Sequence, residues 1–458
     1  MAGSTAWWDV SDTQAEEGTT SGECQRTIAT MMARRRVVSF LLPALLKDGR
    51  GPQGKKSRGD KPPFSWELHV RRFNEEEFRR RYRMDFDSFN VLLERLRPHL
   101  EHSGKAKLAE LRSNSGVVVS AEVKLAIALR YFAGGDVLDL MLIYSVSKTH
   151  VYACVYGAID AINATLELKF PLHDIERLKE LEAGFRAKSR RQVWAGQVGA
   201  IDGVHFRMRG PGPGDVPDPL KYYVARKAEY ALLCMAICDV ERRFLHYDIS
   251  KGPNTHDSLA WEASKLGVSV LAGELPSPFF LNGDAAFPLS NSVMCPSGDP
   301  TLDAFDFEQS SNRMPIECAF GMLVRKWGVF WRPLAMRFDR RAPLVGACMR
   351  LHNFCIDQRV IADNLVTFGC FTEVQPQRLA KTPHFDRDGL PVDFLDIERG
   401  PTRDYRRQKS CQRRDELVQA IKNAGLTRPA LAPKDGIAKR KKVKKRRGRP
   451  SKASARMT

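Results

Sequence analysis

Asp202 lies inside an apolar run, Val198 to Met208 (VGAIDGVHFRM). A carboxylate there is costly to bury unless something pairs it. By strict alternation it shares a strand face with Val198, Ala200, Val204 and Phe206. Asp284 follows Leu281-Asn282-Gly283 at the end of a second short apolar run, and ligands of α/β sheets gather at strand ends. Glu317 adjoins Ile316 on an amphipathic stretch and is expected to border the core rather than face bulk solvent, with Arg313 one turn before it and Gly321 one turn after. Hard divalent cations take oxygen ligands, and Mg²⁺ typically uses one or two carboxylates plus a substrate phosphate. Two such ions, about 3.5–4 Å apart, activate the attacking oxygen and stabilise the leaving oxygen of a phosphodiester. Each acid also has a local reading: Asp284 ahead of Ala285-Ala286 as a helix cap, and Glu317 as the partner of Arg313.

The elements that must position these acids follow from periodicity. The apolar runs at Val198–Met208, Tyr230–Val240, Phe244–Ile249 and Phe279–Leu281 read as strands. The first two flank a Gly/Pro loop, 210–219. Helices are expected over His256–Leu266 and Pro315–Trp331, the latter with Ile316, Phe320, Leu323, Trp327 and Phe330 on one face. This order predicts an α/β fold, a mixed sheet with helices against it. Upstream the pattern is helical. Phe78, Tyr82, Phe86, Phe89, Leu92, Leu93 and Leu96 recur at three- and four-residue steps, and Pro98 marks the expected end. Ala121–Ala133, Val137–Tyr144 and Lys148 to about Ile162 read as three further helices. Gly134-Gly135 stops the first and Ser147 caps the third. A short helix, a tight turn and a helix opening with Lys148, Thr149 and His150 fit a helix-turn-helix DNA reader; an ordinary helical bundle has the same periodicity. A charged helix over 174–191 precedes the first strand.

The chain has 458 residues and a formal charge of +19, from 73 Lys+Arg against 54 Asp+Glu. Eleven of those cations, and no acid, lie between Lys439 and Thr458. Such a block is expected to be solvated and disordered and to bind a polyanion with salt-sensitive affinity. Within it Lys439 to Arg447 reads as a nuclear localisation patch. Arg447-Gly448-Arg449-Pro450 resembles an AT-hook core, in which Arg447 and Arg449 reach along A·T minor-groove acceptors. Residues 1 to about 60 also read as mostly disordered. The longest apolar stretch, Val37–Leu46, is broken by Ser39 and Pro43 and falls short of the roughly 20 residues of a membrane helix. Asp9, Asp12, Glu16 and Glu17 argue against a secretory leader, and the ten cysteines form no CxxC pair. Cys348, His352 and Cys355 have one-face helical spacing without a fourth ligand, so core packing is the better reading than zinc.

In this order the motifs resemble the PIF/Harbinger transposase superfamily, along residues 78 to 355. Gly199-Ala200-Ile201-Asp202-Gly203-Val204-His205 resembles the first motif of its DDE domain. Tyr223 to Asp239, with Arg226-Lys227 near its head, resembles the strand that follows. Gly252 to Ser258 resembles its His-Asp-Ser turn, and Asn282 to Pro288 its second-aspartate motif. Asn312-Arg313, Glu317, Phe320-Gly321 and Arg325-Lys326-Trp327 resemble its third-carboxylate helix, and Leu351-His352-Asn353-Phe354 its closing helix. The Gly/Pro insert, Phe287 in place of the usual tyrosine, and the hook-like tail depart from the pattern.

The resemblance implies an RNase H-like mixed sheet flanked by helices, preceded by an all-α helix-turn-helix-like region. Asp202, Asp284 and Glu317 would be its metal-binding DDE triad, holding Mg²⁺ or Mn²⁺, in all two ions. Asp257 and His205 are candidates to assist at the site; a helix-capping role for Asp257 and His256 and a structural role for His205 are the alternatives. The expected organisation is a disordered segment over 1–62, a helical region over 63–192, the DDE endonuclease domain over 193–360, an extension over 361–433 and the basic tail over 434–458. The function implied is metal-dependent cleavage of DNA, and possible strand joining, in the nucleus. A Myb-like companion protein and a homo-oligomer are the expected partners, with no membrane. The alternative from another class is a domesticated, catalytically silent DNA-binding or scaffold protein.

Overall fold

The computed structural model describes residues 64–102, 111–113, 116–358 and 411–429. The expectations for the first 60 residues and for the basic tail, Arg447 and Arg449 included, lie outside them. The helical region runs through α1 (Trp66–Val70), α2 (Glu75–Tyr82), α3 (Phe86–His102), α4 (Ala121–Phe132), α5 (Val137–Ile143), α6 (Lys148–Thr165) and α7 (Ile175–Lys188). Side-chain caps set several starts. Asn74 and Glu77 form a reciprocal capping box on α2, Asp136 caps α5, and Ser147 accepts from the His150 amide at the start of α6. Pro98 does not end α3; it lies inside the helix, which continues to His102.

The sheet follows, with β1 (Gln197–Met208), β2 (Tyr223–Val224), β3 (Glu229–Cys238), β4 (Phe244–Asp248), β5 (Phe280–Asn282) and β6 (Val293–Met294). Its six strands run in the order β2-β3-β1-β5-β6, with β4 also paired to β3. β1 is antiparallel to β3 and parallel to β5, and β5 is parallel to β6. This is the mixed sheet expected of an RNase H-like domain. Between and after the strands come α8 (Asp257–Glu262), α9 (Lys265–Leu271), α10 (Asp303–Lys326) and α11 (Phe338–Asp357). The single helix expected over His256–Leu266 is thus two. Ser264 separates them, because its hydroxyl donates to the Trp261 carbonyl and accepts from the Gly267 amide. α10 starts twelve residues before Pro315, which lies inside it, and ends before Trp327.

One buried cluster joins Phe89, Leu129 and Ile159 of the helical region to Ala200 and Phe206 of β1, Ile316 of α10 and Leu351 of α11. α6 is central to it, packed against α3, α4, α5 and α11. Gly134 has φ +98°, and a side chain there would meet the Gly328 backbone at 3.1 Å, so two glycines let the turn after α4 touch the segment after α10. A second cluster fills the other face of the sheet with Ile201, Leu233, Met235, Trp261 and Phe287. Val198 belongs there rather than with Ala200, because the β1–β5 pairing shifts register between Gln197 and Gly199. A third cluster covers the β6 edge. Here Cys411, Leu417 and Ile421, in and just before α12 (Gln412–Asn423), pack against Trp194, Phe280, Met294 and Phe305. Among the described residues no helix is long and apolar enough to cross a membrane.

Candidate functional site

Strand register brings the two aspartates together. Ala200 of β1 pairs with Asn282 of the parallel β5. Asp202 and Asp284 each lie two residues further on, at the same level of neighbouring chains and at the C-terminal end of β5. Ala236 faces Asp202 across the antiparallel β1–β3 pair, so no large side chain crowds that flank. Asp284 accepts from the Ala286 amide at 2.9 Å, which folds the chain back after β5. The Phe287 ring then lies against Gly283, where an added Cβ would meet it at 2.8 Å. Phe287 is buried, a position in which a tyrosine hydroxyl would need a partner.

The third acid arrives from α10. Gln309, Arg313, Glu317 and Gly321 are spaced four apart and form one stripe of that helix. Gly321 has open space where a side chain would be. Glu317 itself is exposed, its side chain 49% accessible, rather than held at the core border. Arg313 connects the set: its guanidinium donates to Asp202 Oδ2 at 3.2 Å and to Glu317 Oε1. It is the cation between two of the three acids. Burial pushes the Asp202 carboxyl up to about 6, against Arg313 and the Gly203 amide, which favour its charge; Asp284 and Asp257 push it further up.

The donors are hard oxygens, the chemistry that suits Mg²⁺ or Mn²⁺, and the guanidinium between Asp202 and Glu317 marks a place for positive charge. By donor type, three carboxylates suit a divalent ion. As the side chains stand, however, no three His, Cys, Asp or Glu residues among those described are grouped closely enough to hold one.

A buried amide cluster fixes the register of the three elements. Gln309 Nε2 donates to Asn282 Oδ1 at 2.8 Å and to the Gly283 carbonyl at 2.6 Å. Asn282 Nδ2 donates to the Gln309 carbonyl and to Gln197 Oε1, and Gln197 Nε2 donates to the Asn312 carbonyl. Sequence reasoning missed these amides, although Gln197 and Asn282 are polar residues at the ends of apolar strands. Gln309→Leu is expected to lower unfolding free energy by roughly 2–4 kcal/mol, because it orphans two buried acceptors, on Asn282 and Gly283, the two residues just before Asp284. Urea unfolding measures this, and a loss below about 1 kcal/mol would show the network to be slack.

The other candidates separate. Asp257 opens α8, and its Oδ1 lies 2.7 Å from where a Cβ on Gly203 would be, so it borders β1. His256 holds the N-cap position of α8 but makes no side-chain cap hydrogen bond. His205 Nε2 contacts the Pro253 carbonyl at 3.0 Å, and its Nδ1 lies 3.2 Å from Lys227 Nζ, which ties β1 to the loop before α8. Lys148 and Thr149 lie at the start of α6 with solvent access and His150 is half-buried, while further along one face of the helix is buried. Cys348, His352 and Cys355 are buried in α11, and His352 Nε2 pairs with the Arg242 carbonyl.

Residues 201–353 match the family described as DDE superfamily endonuclease. The chain is similar to "Putative nuclease HARBI1" of Rattus norvegicus, at 23% identity over 254 residues, covering 52% of this chain and 68% of the relative. The Bos taurus protein of the same name is 22% identical over 250 residues, with the same coverage. No solved structure matches. The matched span begins inside β1 and ends on the Asn353 helix, so it takes in all three acids and the sheet that carries them. Residues 201–353 are thus similar to DDE superfamily endonucleases, and the chain is similar to proteins named "Putative nuclease HARBI1".

Proposed function

We propose that this chain is a DNA endonuclease or transposase in which Asp202, Asp284 and Glu317 hold divalent metal, two Mg²⁺ or Mn²⁺ ions, at the C-terminal end of β5. The observation that carries this reading is the placement of Asp202 beside Asp284 by strand register, with Glu317 tied to Asp202 through Arg313. Bound metal would supply Lewis-acid charge at phosphoryl oxygens and a more acidic attacking water or 3′-hydroxyl. Asp202 forms the desolvated floor of the site and Asp284 its loop-borne neighbour. Glu317 faces solvent, on the side from which DNA approaches. If Asp202 and Glu317 held metal, Arg313 would lose its carboxylate partners, and its guanidinium would be available to donate to a phosphate. Lys148 and Thr149 at the start of α6, together with Arg447 and Arg449 of the tail, would hold flanking DNA. The tail would also direct the chain to the nucleus. A Myb-like companion and a second copy of the chain would complete a reaction on two DNA ends.

The Arg313 bridge favours one second reading. If the arginine permanently replaces metal, the chain is a DNA-binding or scaffold protein without cleavage. Supercoiled plasmid separates the two. The endonuclease reading predicts nicking with Mg²⁺ or Mn²⁺, and DNA binding without nicking in EDTA. DNA bound under every condition and never cut, with element ends and a Myb-like partner also present, would select the scaffold.

A further inference from the structure

A cleft of about 900 Å³ opens beside the loop that follows Asp284. Residues 285–289 form one wall, Ser258 and Leu259 of α8 another, and 295–299 a third. The fourth side is Arg414, from α12, a helix outside the matched endonuclease span. The fold holds Arg414 in place. Leu417 and Ile421 anchor α12 in the β6-edge core, and neighbouring Arg413 donates to the Ala195 carbonyl at 2.6 Å. Arg190 donates to the Thr427 carbonyl at 3.0 Å just beyond the helix.

Arg414 is only 6% exposed, yet its Nε has no hydrogen-bond partner, and no carboxylate among the described residues forms an ion pair with it. A buried charge left in this state is costly and calls for an anion. The nearby acids are engaged first by other groups, and Arg414 is the weakest of the influences on the Asp299 carboxyl. Asp306 accepts from the Ser297 and Gly298 amides, and Asp299 from the Thr301 amide and hydroxyl. The cleft is large enough for a nucleotide and has an apolar floor including Leu289 and Leu302, with one guanidinium in its wall.

We propose that this cleft is a phosphate subsite for the DNA strand, with Arg414 donating to a phosphodiester oxygen next to the one at Asp284. The loop that begins at Asp284 supplies residues 285–289 to the cleft wall, and Arg414 lines the same cleft. The inference rests on the reading of DNA as substrate and adds to it a strand-positioning residue from the C-terminal extension.

The test uses the full chain with a fluorescein-labelled duplex, by anisotropy in EDTA between about 50 and 200 mM salt. Arg414→Gln is expected to weaken binding about tenfold and to reduce the slope of log K against log salt by about 1. Leu259→Trp, which fills the cleft mouth and leaves Arg414 untouched, is expected to weaken binding as well. Wild-type affinity and slope in the folded variants would overturn the subsite. A deoxynucleoside monophosphate that binds more tightly than the duplex would also overturn it, by making the cleft a mononucleotide pocket. Failure of the nuclease reading looks different: Arg414-dependent binding with no nicking by wild type leaves the subsite standing. Nicking and binding unaffected by Arg414→Gln or by Leu259→Trp would leave only the nuclease.

Discussion

Asp202→Asn abolishes metal-dependent nicking, by about a thousandfold or more, and leaves DNA affinity in EDTA within about twofold of wild type. The variant removes the one acid that is both desolvated and adjacent to Asp284, while the surfaces proposed to hold DNA lie elsewhere. A second readout follows from its carboxyl. Burial, then the like charges of Asp284 and Asp257, outweigh Arg313 and the Gly203 amide and raise it to about 6. Unfolded, it titrates near the ordinary value of about 4. Between about pH 4 and 6 the folded chain therefore binds more protons than the unfolded chain. Stability of the metal-free protein falls as pH rises through that window, and the penalty is complete above about pH 6. The amide of the Asp202→Asn variant does not titrate and carries no such penalty. From about pH 4 to about pH 7.5 in EDTA, the variant's stability relative to wild type should rise by on the order of 2 kcal/mol. Parallel pH profiles from urea unfolding would mean that Asp202 is not in the environment described.

Arg313→Gln has opposite effects on the metal-free and metal-loaded chain. Without metal, Asp202 loses its cation and Glu317 its tether. Stability in EDTA should drop by about 2 kcal/mol, less than for a fully buried pair because Glu317 is half exposed. With the guanidinium gone, positive charge no longer competes for the carboxylates, so Mn²⁺ should bind about tenfold more tightly in calorimetry near pH 8. The melting temperature should then rise more on Mn²⁺ addition than it does for wild type. Weaker Mn²⁺ binding would show that Arg313 positions the ligands rather than standing in for a cation.

The first acid is legible in the sequence because β1 is apolar and Asp202 breaks its pattern. The second is legible as the end of a short strand, but its closeness to Asp202 depends on parallel pairing between β1 and β5, which no local pattern encodes. The resemblance to the Harbinger group supplies that link. The boundaries of the three helices from Ala121 to Thr165 are located within about three residues, since Gly134 and Ser147 punctuate them. The spacing of Val151, Cys154, Val155, Ala158, Ile159 and Ile162 shows the buried face of α6, but that this face packs against α3, α4, α5 and α11 is a tertiary fact. α10 reads as beginning at Pro315, a residue that often opens helices. Its first half buries Glu308, Gln309 and Asn312, polar residues that hide the apolar stripe. β6 has two residues and leaves no period to detect. The α12 pattern Gln412–Asn423 is amphipathic, but its docking on Trp194 and Phe305, and Arg414 in the cleft, are tertiary facts.

The most direct measurement is nicking of supercoiled plasmid by wild type and Asp284→Asn side by side in Mn²⁺. Asp284 lies on a loop rather than inside β1, so the substitution leaves the core intact and both proteins should bind DNA equally in EDTA. Nicking by wild type, with loss of about a thousandfold in the variant, is the predicted result. Equal nicking by the two proteins would contradict the assignment of Asp202, Asp284 and Glu317 as the metal-holding site.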